Sequence, residues 1–241
     1  MDAAEAVGTL PGEMEGLGLY LLFLIPPLII GFAVQHWLKK TVAANMQVPV
    51  ANGMSGADVA RQILDRNGLQ GVPVETSPGG PLSDHYDPRK KSVHLSEPVY
   101  GGASVASTAI AAHEVGHAIQ HAKAYAPFRA RSAMWPVVSF ASNAWFILLM
   151  IGLFAQVLGL IQFAIVLFAV VVLFQLVTLP VEFDASRRAL AQVNDMGLLA
   201  TSESQGARKV LTAAAMTYVA AALAALTQLA YYAMIFLGNR D

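Results

Sequence analysis

The chain has 241 residues, 56% of them hydrophobic and only 13% charged, a balance too apolar for an ordinary soluble domain and one that places it among membrane proteins. It has no cysteine, which excludes a disulfide framework and any thiolate metal site. The net charge of −1 gives no basis for nucleic-acid binding, and the placement of the charges says more than their sum.

Residues 1–16 form a short acidic tail carrying Asp2, Glu5, Glu13 and Glu15, expected to fray. Residues 17–38 are uncharged and apolar enough to cross a bilayer. No basic residue precedes them, so they read as a retained first span rather than a cleaved signal peptide. The Pro26-Pro27 pair should kink or break that helix.

Residues 39–131 are the polar part of the chain. Ser55-Gly56-Ala57-Asp58 resembles a capping box and opens a helix that Asn67-Gly68 closes, with Val59, Ile63 and Leu64 as its apolar stripe. Short strands are expected at 72–76 and 92–96, with turns at Gly79-Gly80-Pro81 and Asp87-Pro88-Arg89-Lys90. The hairpin carrying His85 and Tyr86 could lend an edge to an extended peptide, or be a plain surface feature.

Next comes His113-Glu114-Val115-Gly116-His117, an H-E-x-x-H motif entered through a run of small residues, 102–110. Residues four apart on a helix differ by about 40° in azimuth and lie one turn apart, so His113 and His117 project from one face and can grip a single ion. Imidazole pairs completed by a carboxylate and a water suit Zn²⁺. Glu114, beside the pair, is placed to act as general base on a metal-activated water. His121, one further turn along, is an outer partner or exposed; as a fourth ligand it would close the site. His85, Tyr86 and His94 are candidates for stabilising an oxyanion.

Residues 132–181 contain no charge and fit two crossings, read as a helical hairpin over 135–158 and 160–179 with its turn near Gln156, Gly159 and Gln162. Pro180 then starts a segment, 182–209, that contains Glu182, Asp184, Ser186, Arg187 and Arg188. Thr201-Ser202-Glu203 can cap a last helix whose uncharged part, 210–237, spans again.

Of fifteen Lys and Arg, only Arg240 falls outside two stretches, 39–131 and 187–209. The positive-inside rule then places both loops in the cytoplasm and both termini outside, in a multi-pass protein of the cell membrane. His113 and His117 therefore share a side with whatever follows the third span. A zinc held by two His needs a third protein ligand, and Glu182 and Asp184 are the candidates near the membrane. They lie about 200° apart on a helix, so only one can face the metal. Ser186 sits one turn beyond Glu182, able to hydrogen-bond a ligand His. Glu182 could instead pair with Arg187 or Arg188 at the membrane edge.

Three stretches resemble the bacterial neutral zinc metallopeptidases of the YugP type: 112–120 around the H-E-x-x-H, Asp84-His85-Tyr86-Asp87-Pro88-Arg89, and 180–186. The resemblance runs along most of the chain. A more distant likeness is to HtpX-type membrane proteases, in which a transmembrane hairpin is followed by E-x-x-x-D whose Glu is the third zinc ligand. That likeness implies Glu182 rather than Asp184, with Ser186 where the Asp would stand. The implied fold is a mainly α membrane protein of about four transmembrane helices, with a small α+β zincin-like catalytic lobe at the cytoplasmic face. The implied activity is zinc-dependent endopeptidase cleavage of unfolded or membrane-associated polypeptides, the bilayer and a polypeptide being its partners, with membrane-protein partners or self-association as further candidates. A zinc-binding membrane scaffold without hydrolysis is the alternative. Proteolysis inside the bilayer is disfavoured because charged residues lie close on both sides of the motif.

Overall fold

A computed structural model describes residues 13–236. In chain order the elements are α1 (Glu13–Met46), α2 (Gly56–Arg66), β1 (Val74–Ser77), β2 (His85–Asp87), β3 (Ser92–Ser96), a single turn α3 (Glu97–Tyr100), α4 (Val105–Ala122), α5 (Ala126–Phe154), α6 (Leu158–Asp195) and α7 (Thr201–Phe236). The molecule is a mainly α membrane protein: α1, α5, α6 and α7 are each long and apolar enough to cross a bilayer. Most of the acidic tail, residues 1–12, and Leu237 and Arg240 lie outside the described residues.

The chain forms two compact units. One comprises 1–33, 133–177 and 218–241. Within it Leu149, Ile161, Ala164 and Ile165 make the interior, and Trp145 stacks on Phe168 at 4.4 Å between ring centroids. Large apolar side chains such as Phe32, Phe140 and Val166 point outward. That inside-out exterior is what a hydrocarbon solvent permits.

Three details differ from the sequence reading. Helix α1 continues through Pro26 and Pro27 to Met46 instead of breaking at the pair. Pro180 lies inside α6 and does not start a new helix. The turn of the hairpin falls at 155–157, at the expected Gln156 but ahead of Gly159 and Gln162, because Gln156 adopts the left-handed conformation (φ 55°). Gly152 makes the tight return feasible: a Cβ there would lie 2.8 Å from Ile161 Cγ1 and 3.0 Å from its backbone nitrogen.

The other unit comprises 34–132 and 178–217. Its core is α4, which is buried nearly all round. Ser104 caps α4 by accepting the Ser107 N–H. Helix α2 covers it with Val59, Ile63 and Leu64, all fully buried, and β3 adds Val93 and Leu95. The capping box of α2 is present in both directions: the Ser55 hydroxyl accepts the Asp58 N–H, and Asp58 accepts the Ser55 N–H.

The sheet has the order β1-β3-β2, with β1 parallel and β2 antiparallel to β3. β2 is the arm of the expected hairpin that carries His85 and Tyr86, for which the sequence reading sets no strand bounds, and β1 starts two residues later than expected. Two carboxylates hold β2 in place. Asp84 accepts from the Ser96 N–H (2.7 Å) and hydroxyl, and Asp87 accepts from the Arg89 and Lys90 N–H groups. Partial burial pushes the Asp84 carboxyl up despite those bonds.

Long-range side-chain bonds build the late segment of this unit onto the early one. Asn52 donates to the Leu198 carbonyl, Asn67 to the Gln192 side chain, and Glu203 accepts the Ala51 N–H while closing the start of α7 at Ala200.

Replacing Ser55 by Ala should cost about 1 kcal/mol of stability. Asp58→Ala should cost less in that background than in wild type, because the two side chains act as one device. Denaturant unfolding of the four variants in detergent measures both effects.

Candidate metal centre

Helix α4 presents His113 and His117 with ring centroids 4.8 Å apart and planes nearly perpendicular. Facing them is the stretch of α6 that begins just after Pro180. The approach is close because residue 116 has no side chain: a Cβ on Gly116 would lie 2.7 Å from the Ala185 carbonyl oxygen. One turn of α6 then supplies three side chains to α4, from Glu182, Asp184 and Ser186.

Glu182 is 2% exposed. Its Oε2 lies 3.3 Å from His113 Nε2 and 3.6 Å from His117 Nε2. The ligand atoms of these three residues all fall within 4.8 Å of one another. Zinc bonds of about 2.0–2.1 Å in a tetrahedron put neighbouring ligands about 3.3–3.4 Å apart, so the spacing fits. Glu182 Oε2 is buried without a hydrogen bond among the described residues, an orphaned acceptor of the kind a cation would satisfy. Two imidazoles and one carboxylate suit zinc far better than magnesium or calcium.

Each of the three candidate ligands is also held from behind. His113 Nδ1 lies 3.1 Å from the Ser186 hydroxyl, and Arg131 Nη1 donates to Glu182 Oε1 at 3.2 Å. For His117 the orientation can be worked out. Gln120, fully buried, directs its Nε2 at two acceptors, the Val181 carbonyl (2.8 Å) and Asp184 Oδ2 (2.9 Å). That atom must therefore be the amide nitrogen, and Gln120 Oε1 faces His117 Nδ1 at 3.0 Å. His117 then donates from Nδ1 to Gln120, so that Nε2, facing Glu182, is the nitrogen that a neutral ring offers to a metal. Asp184 is itself anchored by Arg187 and Arg188.

Pairing of Glu182 with Arg187 or Arg188 is therefore not what occurs: those arginines take Asp184, and Glu182 takes Arg131. Arg131 and Gln120 went unnoticed as site residues in the sequence. Gln120 had a signal, being three residues from His117 and so on its face of the helix. Asp184 had one too, with basic residues three and four positions on. Arg131, contributed by α5, had none.

Glu114 is buried beside His113. Burial pushes its carboxyl up to about 7, with the His113 ring and the Tyr86 N–H pulling the other way. β2, the edge strand, thus runs past Glu114 with the Tyr86 amide turned toward it. The Tyr86 hydroxyl is engaged elsewhere, 2.9 Å from His121 Nδ1, and Phe128 packs against both rings and against His117. His121 is therefore a partner of Tyr86 and stands outside the group of three. His85 is exposed, bonded to the Ser83 carbonyl and stacked on His94 at 4.7 Å. It is not brought to the three ligands.

Residues 20–237 match the family described as "Putative neutral zinc metallopeptidase". The chain belongs to this family. It is also 45% identical to a Bacillus subtilis protein named "Putative membrane protease YugP", over 223 residues that cover 92% of this chain and 99% of that one. No solved structure matches the chain significantly.

Gly116 sets the distance between the two ligand-bearing helices, so Gly116→Ala should destabilise the protein by about 1–3 kcal/mol through overpacking. It should also weaken zinc binding. Thermal melting with and without zinc, compared with wild type, tests both.

Proposed function

We propose that this protein is a membrane-bound, zinc-dependent endopeptidase that hydrolyses peptide bonds in unfolded or membrane-associated polypeptides at the cytoplasmic face of the cell membrane. The observation that carries this reading is the convergence of His113, His117 and Glu182 on one point, with Glu114 next to them. Family membership supports the activity class, and the four apolar helices support the membrane setting.

His113 and His117 would hold zinc through Nε2 and Glu182 through Oε2, leaving a position for water. Zinc bound there supplies Lewis-acid polarisation of the scissile carbonyl and makes water a nucleophile near neutral pH. Glu114 accepts the proton of the attacking water and passes it to the leaving amine, which departs as a neutral group. Gln120 and Ser186 hold the imidazoles in the orientation that binding requires. The burial of Glu114 and His117 keeps bulk water away from that proton transfer.

The edge position of β2 suits an extended substrate. A peptide pairing along its open side is drawn past Glu114, with main-chain bonds giving affinity that depends little on sequence. Unfolded segments offer such a strand; folded domains do not.

Glu114→Gln should keep zinc and lower turnover about 10²–10⁴-fold, whereas Glu182→Ala should lose the metal as well. Metal analysis of purified variants alongside hydrolysis of a casein-type substrate decides it. Turnover that is absent in wild type, or indifferent to Glu114→Gln, would leave a scaffold role instead.

The absence of cysteine makes the orientation directly testable. A single cysteine at Glu75, exposed on β1, should resist a membrane-impermeant maleimide in intact cells and react after lysis. Labelling of intact cells would place this segment outside and sink the cytoplasmic assignment.

A further inference from the structure

We propose that Arg131 is a positioning residue that holds Glu182 to the metal through one oxygen only. The inference rests on the zinc site described above and goes beyond it to a residue that none of the sequence signals reached.

The two oxygens of Glu182 have different surroundings. Oε1 accepts from Arg131 Nη1 at 3.2 Å, while Oε2 points between the two imidazoles without a hydrogen bond. The side chain is 2% exposed, so water cannot stand in for the arginine. Arg131 itself is half-buried, whereas Arg129, two residues earlier on α5, is exposed. An arginine serving only the membrane edge would have no need to turn inward onto a buried carboxylate.

The chemistry makes the asymmetry matter. A carboxylate with both oxygens free can rotate to chelate a cation with the pair, filling the position that a reacting water needs. A guanidinium bonded to Oε1 blocks that rotation and fixes the plane of the carboxylate. It also supplies a positive charge beside a buried anion, which would otherwise be costly to keep in place. Ser186 and Gln120 do the equivalent for the two imidazoles, so each of the three ligands has its own outer partner.

The test uses the full-length protein in detergent, loaded with zinc. Arg131→Met removes the donor and the charge but keeps much of the side-chain bulk. Outer partners of metal ligands typically contribute about 10- to 100-fold to affinity, and a loss in that range is expected in competition against a chromophoric chelator. Zinc-edge X-ray absorption should show an additional oxygen neighbour in Arg131→Met, and turnover should fall through kcat more than through KM. Arg131→Gln, which retains a donor without the charge, should recover part of the affinity and the wild-type oxygen shell. Should the Met variant fail to fold, Arg131→Gln and Arg131→Lys carry the comparison, each expected to bind zinc several-fold less tightly than wild type. Wild-type affinity and an unchanged oxygen shell in the folded variants would overturn the role of Arg131. Wild-type protein that binds no zinc would instead overturn the metal centre, so the two failures are distinguishable.

Discussion

Everything in the candidate site depends on one buried carboxylate. Removing Glu182 from water costs several kcal/mol unless opposite charge and hydrogen bonds replace the lost hydration. Arg131 answers for one oxygen, and the other is left facing two imidazole nitrogens at 3.3 and 3.6 Å. Imidazoles in the neutral form with the proton on Nδ1, against Gln120 and Ser186, would offer that oxygen lone pairs, not donors. Three electron-rich atoms converging without a proton between them is an unfavourable arrangement by itself and a favourable one around a cation. The fold keeps them together through packing in the core of the unit, so the cost of convergence is met before a metal arrives.

The packing that does so is local and specific. Helix α4 and the turn of α6 over 182–186 meet where Gly116 faces the Ala185 carbonyl. Positions 113, 114, 117 and 120 on α4 and positions 182, 184 and 186 on α6 then complete one another. A shift of one residue on either helix turns its side chains by about 100° and would exchange ligands for outer partners. Such a site tolerates little slippage. That explains why so much hydrogen bonding, from Asn52 to Leu198 and from Asn67 to Gln192, ties the late segment to the early one.

How much of this was visible in the sequence follows from the range of each interaction. His113, Glu114 and His117 are legible because helix geometry is local, and so are the capping box at Ser55 and the apolar stripe of α2. The four long apolar helices are legible because bilayer thickness sets a length that composition alone can meet. Glu182 needed the charge distribution and a resemblance to single it out from Asp184. The tandem prolines do not break α1, since proline weighs against a helix interior through one missing donor and a ring clash, and a long membrane helix can absorb both. β2 is only three residues long and has no apolar alternation; its existence depends on Asp84 reaching Ser96, a contact twelve residues away. Arg131 was out of reach because nothing local distinguishes it from Arg129.

The same distinction bears on how the candidate site could vary and still present two imidazoles and a carboxylate to one point. Ser186 and Gln120 act on rings whose inward nitrogen is already placed by helix geometry, so either could be exchanged for another group able to hydrogen-bond Nδ1. Asp184 acts one step further out, fixing the amide that fixes the ring, and it needs Arg187 and Arg188 to remain charged while buried. The carboxylate has no such latitude. Its side chain is longer than an aspartate's, is flexible about three torsions, and comes from a helix that the ligand histidines do not share. Held from both sides it has one pose; freed from either it has several. The entropy of choosing among them would fall on metal binding, so the preorganisation of Glu182, more than that of either histidine, would set how tightly this candidate centre holds an ion.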